Sequence, residues 1–169
     1  MSKVSMTPIQ MAERLAGWFP PAPTPSLWED YRLERVAPKA GSVFRELLSL
    51  TLFWMRSAME AHYPGIAEVL VWPRVLALLH DQWGPVYQMA ESEWEVFQAE
   101  LPSRMAAYER VKAEGGSAVS VSTEAGAHLE SNWVVRAEEQ GALLALILDL
   151  VSAEGIGALF EEIELVAPS

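Results

Sequence analysis

The stretch Val43 to Tyr63, VFRELLSLTLFWMRSAMEAHY, limits the fold more than any other part of the chain. Its polar residues, Arg45, Ser49, Arg56 and Glu60, with Ser42 just before them, recur at helical spacing and fill only a narrow stripe. Leu47, Leu48, Leu50, Leu52, Phe53, Trp54, Met55 and Met59 then cover most of the remaining circumference. A helix apolar almost all round belongs inside a protein or a membrane. Arg45, Glu46, Arg56 and Glu60 interrupt the run well before the roughly 20 apolar residues a span requires, so the interior of a protein is expected and no membrane span. The expected fold is all-α: an irregular, mostly antiparallel helical bundle of six to eight helices around this buried central helix. Residues 1–169 are read as a single helical domain, with 1–25 an N-terminal helix plus a proline-rich arm and 26–169 the bundle.

Punctuation sets the other helices. Thr7-Pro8-Ile9-Gln10 combines a cap, a proline at the first helical position and the third-position Gln of a capping box. Pro20, Pro21, Pro23 and Pro25 stop that helix, because each ring removes a donor and pushes its predecessor toward extended geometry. Ser26 to Glu29 reads as a second capping box opening a helix from Leu27 to about Val36, and Ser42 as the cap of the central helix. Tyr63-Pro64-Gly65 ends the latter. Ile66 to Val71 and Pro73 to Gln82 follow, and Gly84-Pro85 closes them. From Tyr87 through Ala90, Trp94, Phe97, Leu101, Met105, Tyr108 and Val111 an apolar stripe keeps helical phase across Pro102, predicting a kinked helix or two stacked ones. Ser117 to Thr123 alternates apolar residues with Ser at period two and reads as an extended linker, or as an edge strand offered to another chain. Thr123 would then cap a last long helix, Glu124 to about Val151, before a short acidic helix from Ala158 to Val166.

Charge narrows the functional classes. With 23 acids against 12 Lys plus Arg the net charge is −11, and direct nucleic-acid binding, which needs cations to displace counterions from phosphates, is not expected. The chain has no Cys, hence no disulfide and no thiolate metal site. MSKVSMTPIQ carries one Lys and no apolar h-region, so the cytoplasm is the expected compartment.

Catalytic and metal constellations are sparse. Glu60 with His62, and His80 with Asp81, have spacings that do not share a helical face, and no Glu-x-x-His or His-x-x-x-His motif is present. No Gly-x-Ser-x-Gly elbow or phosphate loop occurs. Glu91, Glu93 and Glu95 lie off the apolar stripe, where solvation keeps carboxylates ordinary. No catalytic residue, no metal ligand and no cofactor is assigned, and an enzyme is not the favoured reading.

What remains is a non-enzymatic protein–protein interaction module: a subunit, adaptor, chaperone-like or inhibitory protein of a larger assembly. Seven Trp support it, since aromatics at helix ends or beside prolines are frequent interface anchors. The candidate partner-binding residues are Trp18, Phe19, Trp28, Trp72, Trp83, Glu91, Glu93 and Glu95. The partner would be another protein, with a basic surface as the complementary chemistry, or a second copy in a homo-oligomer. The alternative is a binder of a small apolar ligand, or an enzyme acting on one, with Trp54, Met55, Met59 and Trp133 as walls of a pocket between the central and last long helices.

Overall fold

The run from Val43 to Tyr63 does form a long helix. In the computed structural model, which describes residues 2–166, α3 spans Ala40–His62. Val43, Phe44, Leu47, Leu48, Leu50, Leu52, Phe53, Met55 and Met59 on it are all buried. Along the chain the order is β1 (Val4–Met6), α1 (Pro8–Ala16), α2 (Pro25–Asp30), a 3₁₀ turn (Glu34–Lys39), α3, α4 (Ile66–Leu70) and α5 (Trp72–Trp83). There follow α6 (Glu91–Ala113), α7 (Ala118–Ser131), a second 3₁₀ turn (Ala137–Glu139), α8 (Gln140–Leu150), α9 (Ala153–Glu162) and β2 (Ile163–Leu165). At 74% helix the protein is an all-α helical bundle.

The described residues fall into two compact units. The first is drawn from 2–19, 51–94 and 152–166, the second from 20–50 and 95–151.

In the first unit α1 packs on α5. Thr7 caps α1 as its spelling predicts, its hydroxyl accepting from the Gln10 N–H while the Gln10 side chain accepts from the Thr7 N–H. The same unit contains a feature the sequence did not disclose. β1 and β2 form a two-stranded parallel sheet with Val4, Ser5 and Met6 opposite Ile163, Glu164 and Leu165. Tyr63 completes it: its hydroxyl donates to the Ile163 carbonyl at 2.7 Å and accepts from the Leu165 N–H at 3.1 Å. The terminal helix expected from Ala158 to Val166 therefore ends at Glu162, because the next residues are drawn into that ladder.

In the second unit four expectations need correction, the first being the cap expected at Ser42, which lies inside α3 because that helix runs on from the 3₁₀ turn at Ala40. Ser117 to Thr123 is neither linker nor edge strand but the start of α7. Ser117 caps it by accepting from the Ser120 N–H, the Thr123 hydroxyl donates back to the Val119 carbonyl, and Val121, Ala125 and Leu129 are buried at four-residue spacing. The period-two alternation was accidental, and only the helical phase is buried. The long helix read from Glu124 to Val151 is broken between Ser131 and Gln140. The helix read from Leu27 to Val36 is α2, capped by Thr24 rather than Ser26, followed by the 3₁₀ turn. By contrast α6 runs unbroken through Pro102, which is exposed, so the carbonyl deprived of its N–H partner can reach water. Where α7 turns back onto α8, the Gln140 amide donates to the Gly126 carbonyl at 2.9 Å, and a Cβ at Gly126 would lie 2.4 Å from the Gln140 side chain.

Among the described residues one stretch, Ala137–Glu162, is long and apolar enough by length and composition to cross a bilayer, an 18-residue window within it reaching mean hydropathy 2.0. Here it is interrupted at Val151 and Ser152, whose ψ angles of 104° and 89° leave the helical range, and it makes no clear membrane span.

Candidate functional site

Within the second unit, residues of three helices gather in a buried polar cluster. Glu46 of α3 is 5% exposed, in the midst of apolar neighbours. Its carboxylate accepts from Arg104 Nε of α6 at 2.9 Å and 3.3 Å, and from the Tyr108 hydroxyl one turn further along α6. Arg104 Nη2 is also 2.9 Å from Glu46 Oε1, at an angle too oblique for another hydrogen bond, and 3.6 Å from Glu124 of α7. It therefore adds charge without direction. The guanidinium carbon lies 5.1 Å from the centre of the Tyr108 ring. His128 of α7 stands at the rim, Nε2 3.9 Å from the carboxylate. Burial, then the Glu46 charge and hydrogen bond, hold the Tyr108 phenol well above its ordinary range. Glu46 is thus engaged by two donors, and the cluster ties α3, α6 and α7 together in register. An acid within an apolar helix was the signal that the sequence offered for this cluster.

The break after α7 is the second feature. Trp133 has φ 61°, the left-handed region. Its N–H bonds the Glu130 carbonyl at 3.0 Å and the next N–H, of Val134, bonds that of Leu129 at 2.9 Å. This is a Schellman ending with its usual apolar contact positions, Val134 and Leu129, both buried. Glycine usually fills the left-handed position, since a side chain there costs about 1–2 kcal/mol. Trp133 fills it instead, and its side chain is 83% exposed.

The turn is clamped from the 3₁₀ segment. Lys39 Nζ donates to the Trp133 carbonyl at 2.6 Å. Arg35 donates to the Val134 carbonyl at 3.4 Å while its Nε and Nη2 bind the Glu139 carboxylate, which also accepts from the Arg136 N–H at 2.8 Å. The Arg35 hydrogen bond lowers the Glu139 carboxyl below its usual range, with burial opposing and the Arg136 N–H helping.

The same 3₁₀ segment shapes a cleft. With three residues per turn, side chains at i and i+3 eclipse. Leu33 and Val36 form the buried ridge, whereas Glu34, Ala37 and then Ala40 share another and line a cleft of about 370 Å³. Its remaining lining comes from Pro23, Pro25, Trp28 and Glu29.

No known protein family, characterised protein or solved structure matches this chain.

The aromatic candidates fall into different environments. Phe19, Trp28 and Trp83 are buried at 9%, 3% and 1% exposure. Trp72 is half-buried with Arg56 5.7 Å above its ring. Trp18 keeps 37% exposure, but its ring lies against α9, where a Cβ on Gly155 would meet it at 2.6 Å. Among the residues read as pocket walls, Met55 and Met59 are fully packed, Trp54 is half-buried with its ring edge-on to Phe53, and Trp133 is at the surface.

The acids also divide. Glu91 pairs with His80 at 2.7 Å, and the His80 ring stacks on Trp94 at 4.4 Å. Glu93 accepts from the Ala90 N–H at 3.1 Å, as the third residue of a capping box does, and only Glu95 has neither role. Glu93→Ala should accordingly lower stability by about 1 kcal/mol in urea unfolding. An unshifted midpoint would remove that cap. Among the described residues no three of His, Asp or Glu gather in a group able to hold a metal ion.

Proposed function

We propose that the protein is a non-enzymatic interaction module, a subunit, adaptor, chaperone-like or inhibitory component of a larger assembly, and that Trp133 is its principal anchor. One observation carries this reading: a tryptophan, 83% exposed, occupies a left-handed helix-terminal position that glycine would hold at lower cost. Local strain is retained where surrounding structure over-determines it and function uses it. Here the surrounding structure is the Lys39 and Arg35 clamp. A rigid, exposed indole loses little freedom on docking, which is what a binding hot spot requires. The acidic surface suits a partner with basic character, and the partner is a protein rather than a nucleic acid.

Trp133→Gly separates binding from folding. It relieves the left-handed strain, so thermal stability should hold or rise by up to about 1 kcal/mol. Partners retained by the wild-type chain from native lysate, and co-eluting with it in size-exclusion mass measurement, should be lost. If the glycine variant retains every one of them, Trp133 is not the anchor.

A further inference from the structure

The cleft beside the 3₁₀ turn suits a particular ligand chemistry. Its lining combines proline rings and alanine methyls with two carboxylates, Glu29 and Glu34, and includes no Lys or Arg. Both Glu residues are exposed, and neither has an ion-pair partner among the described residues. Of the cations nearby in sequence, Arg35 is engaged on Glu139 and Lys39 on the Trp133 carbonyl, while Arg32 is exposed, lies outside the lining and pairs with neither carboxylate. The frame is stiff. Pro23 and Pro25 have fixed φ, Thr24 between them caps α2 through the Leu27 N–H, and Trp28 is buried beneath. A cleft that is already ordered avoids the entropy cost of forming on binding.

From this we infer that the Pro23–Pro25–Trp28 cleft binds an extended basic segment of a partner protein, an arginine or lysine side chain laying its aliphatic stem along the proline and alanine walls and its cation between Glu29 and Glu34. A volume of about 370 Å³ holds one or two such side chains and is at the lower end of the range for ligand pockets. Long cationic side chains have the required two-part character, an apolar stem with a charged head. A second copy of this chain is a poor occupant, because two molecules of net charge −11 repel. The inference rests on the reading of the protein as an interaction module, but it uses a surface that does not include Trp133.

The Trp28 indole N–H is the reporter. Full-length protein labelled with ¹⁵N would be titrated with acetyl-Gly-Arg-Gly-Arg-amide and, in parallel, with the same peptide carrying Gln for Arg. Saturable shifts at Trp28 with the arginine peptide alone are expected. In Glu29→Gln/Glu34→Gln they should need roughly tenfold more peptide, the size two exposed ion pairs can supply. Because both side chains are exposed, that variant should keep the unliganded spectrum, which checks its fold. No saturable shift, equal shifts from the Gln peptide, or an unchanged titration of the double variant would each overturn the inference. So would concentration-dependent dimerisation abolished by the double variant, which would make a second copy the occupant. Loss of the cleft with Trp133-dependent capture intact would leave the interaction reading standing. Peptide binding with capture indifferent to Trp133→Gly would do the reverse.

Discussion

Arg104→Met should destabilise the protein by about 3–5 kcal/mol, because it strands the Glu46 carboxylate in an environment that leaves it 5% exposed. After the change only the Tyr108 hydroxyl bonds that carboxylate, with His128 at 3.9 Å. The cost comes from an uncompensated buried charge and not from the pair's intrinsic worth. Two charges withdrawn from water lose in hydration much of what they gain from each other. Glu46→Leu/Arg104→Met should therefore recover most of the loss, and adding Tyr108→Phe should recover more by removing the buried hydroxyl that has lost its bond to the Glu46 carboxylate. Urea unfolding of the four variants reads this directly. A single-variant loss below about 1 kcal/mol, or a double variant worse than the single, would contradict the arrangement.

The same cluster makes a pH prediction. Tyr108 in the folded protein holds its proton well above pH 10.0, whereas in the unfolded chain it titrates near that value. A phenol whose folded pKa is raised contributes stability that is complete below the unfolded pKa and lost as pH rises beyond it. Stability should fall above about pH 10, by up to about 1.4 kcal/mol per pH unit. Tyr87, in the other unit, is pushed up to about 12 by burial and adds its own slope over the same range. The wild type minus Tyr108→Phe difference isolates the Tyr108 contribution.

Helix boundaries were legible in the sequence where glycine or proline marked them and hidden where other residues took the glycine's conformation. Gly115, with φ 86°, ends α6 in a Schellman turn, the Gly116 N–H bonding the Val111 carbonyl at 3.0 Å, and the Glu114-Gly115-Gly116 stop was readable. The equivalent turns after α2 and α7 place Arg32 and Trp133 at φ 57° and 61°, and Gln88, in a wider turn beyond Gly84, has φ 55°. Nothing in a single sequence announces that Arg, Gln or Trp will adopt a left-handed backbone. Hence the helix expected to reach Val36 stops at Asp30, and the one expected to reach Val151 stops at Ser131. The parallel pairing of Val4–Met6 with Ile163–Leu165 was equally hidden, since each strand has three residues and the pairing joins the two ends of the sequence. The buried helix was plain because its composition admits no other place, but Glu46 inside it was read only as an interruption of a membrane span and not as the centre of a polar cluster. Its partners Arg104 and Tyr108 could not be named without the packing. The same limit applied to the aromatics. Sequence position at a helix end or beside a proline singled out Trp18, Trp28, Trp72 and Trp83, whereas Trp133, placed inside a long helix, was read only as a pocket wall; packing shows instead that Trp28 and Trp83 are buried and Trp133 is exposed.

Trp83→Ala should cost about 3–5 kcal/mol, the usual range for removing a fully buried large aromatic. Trp83 is 1% exposed, its ring meets Trp94 edge-on at 5.0 Å, and its indole N–H donates to the Ala90 carbonyl at 2.9 Å. Its own carbonyl accepts the Met89 N–H that closes the turn after α5. One residue thus fastens the end of α5 to the first turn of α6, where Trp94 in turn supports the stacked His80 and its Glu91 partner. Trp83→Phe keeps most of the buried area and leaves the Ala90 carbonyl, next to solvent, to find water. Its cost should be nearer 1–2 kcal/mol. The comparison tests whether Trp83 belongs to an interface. A residue that only holds the fold predicts that the phenylalanine variant, still folded, captures partners as well as the wild type, in contrast to Trp133→Gly, which folds and does not. Capture lost in Trp83→Phe while its unfolding midpoint stays close to wild type would instead place this indole at the binding surface.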